Sequence, residues 1–246
     1  MFDAHRHGPC SSAHALPPGW GALLASSGPK QWAQIADTPF LPNVRGCYGL
    51  LPQEVQAFNN TGVDLEQVVE DLEILLSTHH GAAVGEIGID ERFSQSVPMD
   101  SQLILAERLI GIAQRMDRPA VLHVVRSDGM MLNLLKKLRP QIPLLWHGFL
   151  GSMETARELA SLGCVISIAP SIWRVGTKLQ DKLPLLHLPV LLETDYPYHY
   201  RLPGESLPTY ADVLEHHYRR FAQATGISLE ALEYRCDGYA QVFTNQ

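Results

Sequence analysis

Six side chains that can bind divalent cations stand at or near the ends of short apolar runs in this 246-residue sequence. Four are histidines and two are acidic: His5, His7, Glu86, His123, His147 and Asp195. His5 and His7 are two positions apart, and such positions face the same side of an extended strand. Imidazole and carboxylate groups suit zinc, manganese or iron, with magnesium as a further alternative. The pattern therefore indicates a site for two adjacent divalent metal cations.

We expect two ligand groups joined by one bridging carboxylate: His5, His7 and Asp195 for one cation, His123 and His147 for the other, and Glu86 between them. A two-metal site of this kind activates water for hydrolysis, and Asp195 is the candidate general base. Asp90 and Glu193 are candidates for orienting the histidines from behind. Taken singly, each residue also has a structural explanation, such as a surface pair, a buried core histidine or a helix cap. Because the six recur at five strand ends, we adopt the metal site.

The segments that must position these residues are eight apolar runs, nearly continuous in their apolar character as parallel strands covered on both faces should be. The predicted strands are residues 1–4, 21–25, 44–50, 82–89, 120–125, 144–149, 164–169 and 190–193. Amphipathic patterns predict helices over residues 64–78, 98–115, 128–138 and 152–162. This alternation predicts an α/β protein, a (β/α)8 TIM barrel with residues 1–246 as a single domain, and a doubly wound open sheet is the alternative. The carboxyl ends of barrel strands converge at one mouth, where the six donors would meet.

The overall composition is that of a globular protein, with 46% hydrophobic and 18% charged residues. The formal net charge of -7 gives no electrostatic signature of a duplex DNA or anionic membrane surface. The sequence has no apolar run of 18 residues, no leader pattern and no C-x-x-C pair among its four cysteines. We expect a cytoplasmic protein with reduced thiols that does not enter the membrane.

The motifs around these residues resemble those of the TatD-like metal-dependent deoxyribonucleases, a family of amidohydrolase-type barrels. Asp3-Ala4-His5-Arg6-His7 is similar to the family's D-x-H-x-H opening, and residues 85–90 (GEIGID) are similar to its G-E-[IT]-G-L-D segment. Further similar segments are residues 119–123 (PAVLH), 147–152 (HGFLGS) and 192–198 (LETDYPY). The resemblance implies the same six metal ligands, catalysis by Asp195 and Glu86, hydrolysis of DNA phosphodiester bonds, and a protein that can act as a monomer.

The sequence departs from the family pattern at positions that concern substrate more than metal. Leu51 replaces the histidine of the family's G-x-H-P, and the family asparagine near the C-terminus falls at Asp237. The segment after the fifth strand is one residue longer, so that Arg126 is the candidate phosphate-binding arginine. The loop after residue 197 contains one basic residue, Arg201. Trp173 is a candidate for stacking on a base, with ordinary packing as the alternative.

These departures keep three interpretations open. The first is a deoxyribonuclease that cleaves phosphodiester bonds in DNA, or in another phosphodiester substrate, with a two-metal-activated water. The second is a metallohydrolase of the same barrel that acts on a small ester, lactone or amide. The third is a non-catalytic binding module that retains the barrel.

Overall fold

The computed structural model describes residues 1–8, 16–38, 41–179, 181–198 and 209–244. Its eight strands form one sheet in which every strand pairs in parallel with the next along the chain. The strands are β1 (Phe2–His7), β2 (Gly21–Ala25), β3 (Val44–Leu50), β4 (Ala83–Asp90), β5 (Ala120–Val125), β6 (Leu144–Trp146), β7 (Cys164–Ile168) and β8 (Val190–Leu192).

The two edges of this sheet meet through the segment that follows β8. The backbone N–H of Asp195 donates to the carbonyl of His5 at 3.0 Å, and the N–H of His7 donates to the carbonyl of Tyr196 at 2.7 Å. A parallel bridge between Arg6 and Tyr196 lies at the same place. These contacts close the sheet into a barrel, which confirms the predicted (β/α)8 architecture and excludes the open sheet. The assignment of residues 1–246 to one domain stays a prediction.

Helices surround the barrel between most pairs of strands. They are α1 (Pro29–Ala36), α2 (Pro52–Thr61), α3 (Leu65–Thr78), α4 (Met99–Arg115), α5 (Asp128–Leu138), α6 (Met153–Ser161), α7 (Tyr210–Thr225) and α8 (Leu229–Thr244). The four helices expected from amphipathic patterns are α3 to α6, and their ends agree with the prediction to within one or two residues. None of the helices in the described ranges combines the length and the apolar character needed to cross a bilayer.

Among the helices that the amphipathic patterns did not predict, α1 and α2 each present few apolar residues to the barrel. The buried side chains of α1 are Trp32 and Ile35, and those of α2 are Pro52 and Val55. Each helix begins with a proline, whose missing N–H and fixed φ suit the first helical position. Two buried contacts per helix are too few to produce a recognisable amphipathic repeat.

Strand β1 is longer than the apolar run that predicted it. The sequence placed His5 and His7 after a strand of residues 1–4, whereas β1 extends to His7 with all six residues buried. The polar residues stay in the strand because pairing with β2 on one side and with the segment after β8 on the other satisfies their backbone groups. As expected for alternate strand positions, the two histidines face the same region, with their Nε2 atoms 3.3 Å apart.

Candidate metal centre

The structure brings the six predicted donors together at the mouth of the barrel. They come from five strands or the residues just beyond them: His5 and His7 on β1, Glu86 on β4, His123 on β5, His147 directly after β6, and Asp195 three residues after β8. Two triads have donor atoms that all lie within 4.8 Å of one another, His5–Glu86–His147 and His5–His7–Asp195. The first triad adds His5 to the predicted pairing of Glu86 with His147, and His123 also lies next to both of them.

Glu86 lies at the centre of the cluster and contacts all four imidazoles. Its Oε1 is 3.0 Å from His147 Nε2 and 3.2 Å from His123 Nδ1. Its Oε2 is 3.1 Å from His7 Nε2, and Oε1 is 3.6 Å from His5 Nε2. The two carboxylate oxygens thus face different histidines, which is the arrangement required of a carboxylate that bridges two cations.

Asp195 borders the same cluster from the solvent side. Its Oδ1 is 3.8 Å from His7 Nε2 and 3.9 Å from His5 Nε2, and its side chain is 14% exposed. Its backbone adopts the left-handed region with a φ of 54°, which is uncommon for a residue other than glycine. Residues held in such conformations are concentrated at functional sites, where the surrounding structure enforces them.

Two glycines allow β4 to bring Glu86 into the cluster. A side chain at Gly49 of β3 would place its Cβ 2.1 Å from the carbonyl oxygen of Glu86. A side chain at Gly88 would place its Cβ 1.9 Å from the carbonyl oxygen of His123, and the φ of Gly88 is 154°. Any larger residue at either position would push β4 away from a neighbouring strand, so these glycines set the close spacing on both sides of Glu86.

Two buried carboxylates lie behind the histidines, as predicted for Asp90 and Glu193. Asp90 Oδ2 is 3.2 Å from His123 Nε2, and Glu193 Oε1 is 3.6 Å from His147 Nδ1. Both carboxylates are fully buried. Asp90 also accepts hydrogen bonds from the guanidinium of Arg92. Each carboxylate is placed where it can hold the ring orientation of a histidine.

Asp3 ties β1 to the segment that carries Asp195, a role that the sequence analysis did not assign. One oxygen of its buried carboxylate accepts from the backbone N–H of Thr194 at 2.9 Å. The other accepts from the hydroxyl of Thr194 at 2.7 Å and from the hydroxyl of Tyr210. Its position as the first residue of the D-x-H-x-H motif was the available signal.

Burial and mutual contact alter the acid–base properties of the cluster. Burial lowers the pKa of His5 well below its usual value, and the neighbouring His147 adds to this effect. Burial also lowers the pKa of His7. Burial would raise the pKa of Glu86, but His7 and His5, with hydrogen bonds from His123 and His147, outweigh it and hold this pKa well below normal. Neutral imidazoles beside an ionised carboxylate are the protonation states that a metal site requires.

The other side of the cluster binds protons more strongly. Burial disfavours the charged form of His147, yet its close contacts with the carboxylates of Glu193 and Glu86 raise its pKa well above the usual value. The pKa of His123 is raised because contacts with Asp90 and Glu86 outweigh its burial. Burial, with repulsion from Glu193 and Glu86, raises the pKa of Asp195 to about 7. Positive charge is therefore favoured between His123, His147 and Asp195, and a cation bound there would displace the protons of these side chains.

The donor set fits a pair of divalent cations. Two pairs of imidazole nitrogens face each other, His5 Nε2 and His7 Nε2 at 3.3 Å, and His123 Nδ1 and His147 Nε2 at 3.0 Å. Facing nitrogens can share one proton at most, so convergent lone pairs remain for a cation. Glu86 supplies the buried negative charge that must be compensated. This combination of imidazole and carboxylate donors suits zinc or manganese, with magnesium as the further alternative.

A cleft of about 370 Å³ opens directly above the cluster. His123, His147 and Asp195 belong to its lining, together with four basic residues, Arg92, Arg126, Arg174 and Lys178. Arg126 was predicted from the sequence, and it lies on the cleft with a left-handed φ of 56°. The other three were not predicted, because isolated basic residues in loops form no pattern that points to a site.

The remaining substrate-related expectations have different outcomes. Trp173 donates from Nε1 to His217 Nδ1 at 3.0 Å, and its ring packs against the guanidinium of Arg220 and against Phe221. It therefore packs against α7, as the alternative expected, and the base-stacking role stays a prediction. Leu51 is buried as the residue that precedes α2. Arg201 lies outside the described residues.

The fold is shared with solved structures of related proteins. The crystal structure of the TatD homologue YjjV from Escherichia coli K12 matches all of this chain and 98% of its own length, with a TM-score of 0.80 and 20% identity. A TatD-family hydrolase structure from Entamoeba histolytica matches 91% of this chain and 84% of its own length, with a TM-score of 0.72 and 15% identity. At these identities the likeness confirms the fold alone.

Sequence comparison finds relatives over part of the chain. The metal-dependent hydrolase YjjV of Escherichia coli K12, itself described as uncharacterized, is 34% identical over 143 residues, which is 56% of this chain and 53% of the relative. The 3'-5' ssDNA/RNA exonuclease TatD of Edwardsiella piscicida is 31% identical over 156 residues, 61% of this chain and 56% of the relative. The chain thus spans about half the length of these two curated relatives.

The family model named TatD related DNase matches residues 22–242. This match covers most of the chain, including four of the six donors at the barrel mouth. It agrees with the motifs GEIGID and LETDYPY and with the barrel observed in the structure. The chain belongs to the TatD related DNase family.

Proposed function

We propose that the protein is a metal-dependent hydrolase, a deoxyribonuclease that cleaves phosphodiester bonds in DNA with an activated water molecule. The observation that carries this proposal is the position of Glu86, buried among four imidazoles and bordered by Asp195 at the floor of a cleft lined by basic side chains. Family membership supports the same class of reaction.

In this proposal two divalent cations are held by the six donors, His5, His7, Glu86, His123, His147 and Asp195. When bound, such ions lower the pKa of a water molecule and polarise a phosphoryl oxygen. Glu86 sets the separation between the two ligand groups, because its two oxygens face different histidines. Asp90 and Glu193 keep the rings of His123 and His147 in orientation from behind.

Asp195 is the proposed general base. Its partly exposed carboxylate lies between the histidines of β1 and the cleft, so it can accept a proton from a water molecule in the cleft. The water oxygen attacks phosphorus, the bond from phosphorus to the leaving oxygen breaks, the water proton passes to the Asp195 carboxylate, and the leaving oxygen takes a proton from solvent. Arg126 is proposed to bind a phosphate oxygen through its guanidinium, which is exposed on the cleft.

The basic lining favours phosphodiesters over the small ester, lactone or amide considered as the alternative. A neutral substrate gains little from four cationic side chains around its binding site, whereas a phosphate gains charge-assisted hydrogen bonds. A non-catalytic module would not need an ionised carboxylate buried among four histidines, which is costly without a cation. The cytoplasmic location and the monomeric state stay predictions.

The test compares three substrates with protein loaded with zinc, manganese or magnesium. The substrates are a single-stranded oligodeoxynucleotide, bis(4-nitrophenyl) phosphate and 4-nitrophenyl acetate. We expect hydrolysis of both phosphodiesters, and we expect Asp195→Asn to lower kcat by at least ~10³-fold while the circular dichroism spectrum stays unchanged. The matched control is Asp71→Asn, on the exposed face of α3. Cleavage of the acetate ester alone, or full activity of Asp195→Asn, would contradict the proposal.

A further inference from the structure

Three of the four basic residues that line the cleft have no acidic partner in the described part of the chain, whereas the fourth, Arg92, is paired with Asp90. Within the described ranges, Arg126, Arg174 and Lys178 form no ion pair. On the outer helices, five basic residues are paired with acids: Arg108 with Glu66, Arg115 with Glu73, Lys136 with Glu158, Lys137 with Glu107, and Arg219 with Glu215. In a protein with a net charge of -7, unpaired cations gathered in one cleft indicate an anionic ligand there.

Two of these cations belong to a single structured segment, residues 170–178, which we call the β7 arm. Arg174 and Lys178 are exposed, while Ile172 between the strand and the tip is fully buried. The hydroxyl of Thr177 donates to the carbonyl of Ile172 at 3.2 Å, and the N–H of Arg174 donates to the carbonyl of Ser171 at 3.1 Å. These internal contacts fix the backbone from which the two basic side chains reach the cleft.

Contacts with the barrel wall also fix the β7 arm. Trp173 donates to His217 Nδ1 at 3.0 Å, and His217 Nε2 is 2.8 Å from the carbonyl of Ile168. The tryptophan side of the arm therefore faces α7, and the basic side chains face the cleft. Preorganised donors bind an anion with a smaller loss of conformational entropy than donors on an unstructured loop.

We infer that Arg174 and Lys178 form a subsite for a phosphate group that flanks the bond to be cleaved. This inference rests on the proposed function and makes it more specific: the preferred substrate is an oligonucleotide strand with several phosphates, not an isolated phosphodiester. Arg126 lies after β5 and the β7 arm lies after β7, with His147 after β6 between them. A strand whose reacting phosphate sits at the donor cluster would direct its next phosphate toward the β7 arm.

The experiment compares a substrate that has flanking phosphates with one that lacks them. The enzymes are wild type, Arg174→Gln, Lys178→Gln and the double variant, each loaded with the metal that gives the highest activity. The substrates are a single-stranded oligodeoxynucleotide and bis(4-nitrophenyl) phosphate. The control is Arg157→Gln, an equal charge change at an exposed position of α6 that does not line the cleft.

We expect kcat/KM for the oligonucleotide to fall about tenfold in each single variant and about 50-fold in the double variant. Hydrolysis of bis(4-nitrophenyl) phosphate should stay within twofold of wild type in all of them, and Arg157→Gln should leave both substrates unchanged. Binding of the labelled oligonucleotide to the metal-free proteins should also become less salt-dependent. The slope of log K against log salt should be reduced by ~0.7 for each phosphate-binding cation that a substitution removes.

The two failures can be told apart. If wild type hydrolyses neither phosphodiester with any metal, the proposed function fails. If it hydrolyses both, but the β7 arm variants match wild type on the oligonucleotide, the subsite is absent. An equal loss on both substrates would also overturn the inference, because it would place the two cations at the reacting phosphate.

Discussion

The donor cluster and the β7 arm both lie at the barrel mouth, but they differ in how their charged side chains are buried and paired. Glu86 in the cluster is 2% exposed and contacts an imidazole on every side. Arg174 and Lys178 on the arm are exposed, and neither has an acidic partner among the described residues. One region has its charges compensated inside the protein, and the other leaves its charges open to a ligand.

This difference follows from the cost of burying charge. A buried carboxylate without a partner costs several kcal/mol, so the protein must surround Glu86 with groups that can carry positive charge. An exposed guanidinium remains hydrated, and leaving it unpaired costs little. The cluster should therefore respond to a single change with a large loss of activity. The arm should respond with a graded loss that depends on the substrate.

The largest expected effect is that of Glu86→Gln in the cluster. The amide keeps the shape of the side chain but removes the charge that the four imidazoles and the cations share. We expect phosphodiester hydrolysis to fall by more than ~10³-fold, because both ligand groups lose their common member. The measurement is kcat with bis(4-nitrophenyl) phosphate, and the control is Glu70→Gln on the exposed face of α3. Activity within tenfold of wild type would show that Glu86 does not bridge the two ligand groups.

A smaller loss is expected one layer behind the cluster, at Glu193. Its Oε1 lies 3.6 Å from His147 Nδ1, and its other oxygen accepts a hydrogen bond from Ser167. Glu193→Gln should weaken metal affinity or activity by about 10- to 100-fold, as is usual when a group that orients a ligand is changed. Metal affinity from calorimetric titration is the measurement. Glu193→Gln with the affinity of wild type would show that His147 needs no support from this carboxylate.

The next prediction concerns His217 of α7, whose imidazole accepts a hydrogen bond from Trp173 on the β7 arm. The indole N–H can only donate and the carbonyl of Ile168 can only accept, so His217 must be neutral with its proton on Nε2. Burial lowers its pKa to about 4, and the positive charge of Arg220 adds to this effect. Because the folded-state pKa lies below the unfolded one, the unfolded chain binds a proton first as the pH falls.

The stability that depends on neutral His217 is complete above pH ~6.5 and is lost as the pH falls toward 4. We expect wild type to lose about 2 kcal/mol more than His217→Gln between pH 7.5 and 5. Glutamine can accept from Trp173 and donate to Ile168 without titrating. The measurement is urea unfolding of both proteins with a chelator present, so that the histidines of the cluster contribute equally. A difference that stays constant with pH would contradict the assignment of His217 as neutral.

The sequence was sufficient to predict the barrel and the donor cluster for the same reason. Parallel strands covered on both faces must be apolar, so a polar residue at a strand end, such as Glu86 or His123, stands out. The same logic located the orienting carboxylates Asp90 and Glu193. The additional closeness of His5 to Glu86 and His147 was not predictable, because it depends on ring orientations that the order of strands does not determine.

The features that sequence reasoning missed lack such a contrast. Helices α1 and α2 bury two residues each, too few for a period to be visible. Arg174 and Lys178 occur in a loop, and basic residues in loops give no sequence signal for a site. Their convergence with Arg126 on one cleft arises from tertiary structure alone. The low number of basic residues expected in the loop after residue 197 is not tested by this cleft, because Arg201 lies outside the described residues.

The central claim is that the six donors hold two divalent cations, and the metal content of the purified protein tests it most directly. The protein is equilibrated with zinc or manganese and free metal is removed. Elemental analysis by mass spectrometry should then give two bound metal ions per chain for wild type. For Glu86→Gln it should give at most one. No retained metal in wild type, or equal metal content in both proteins, would contradict the claim.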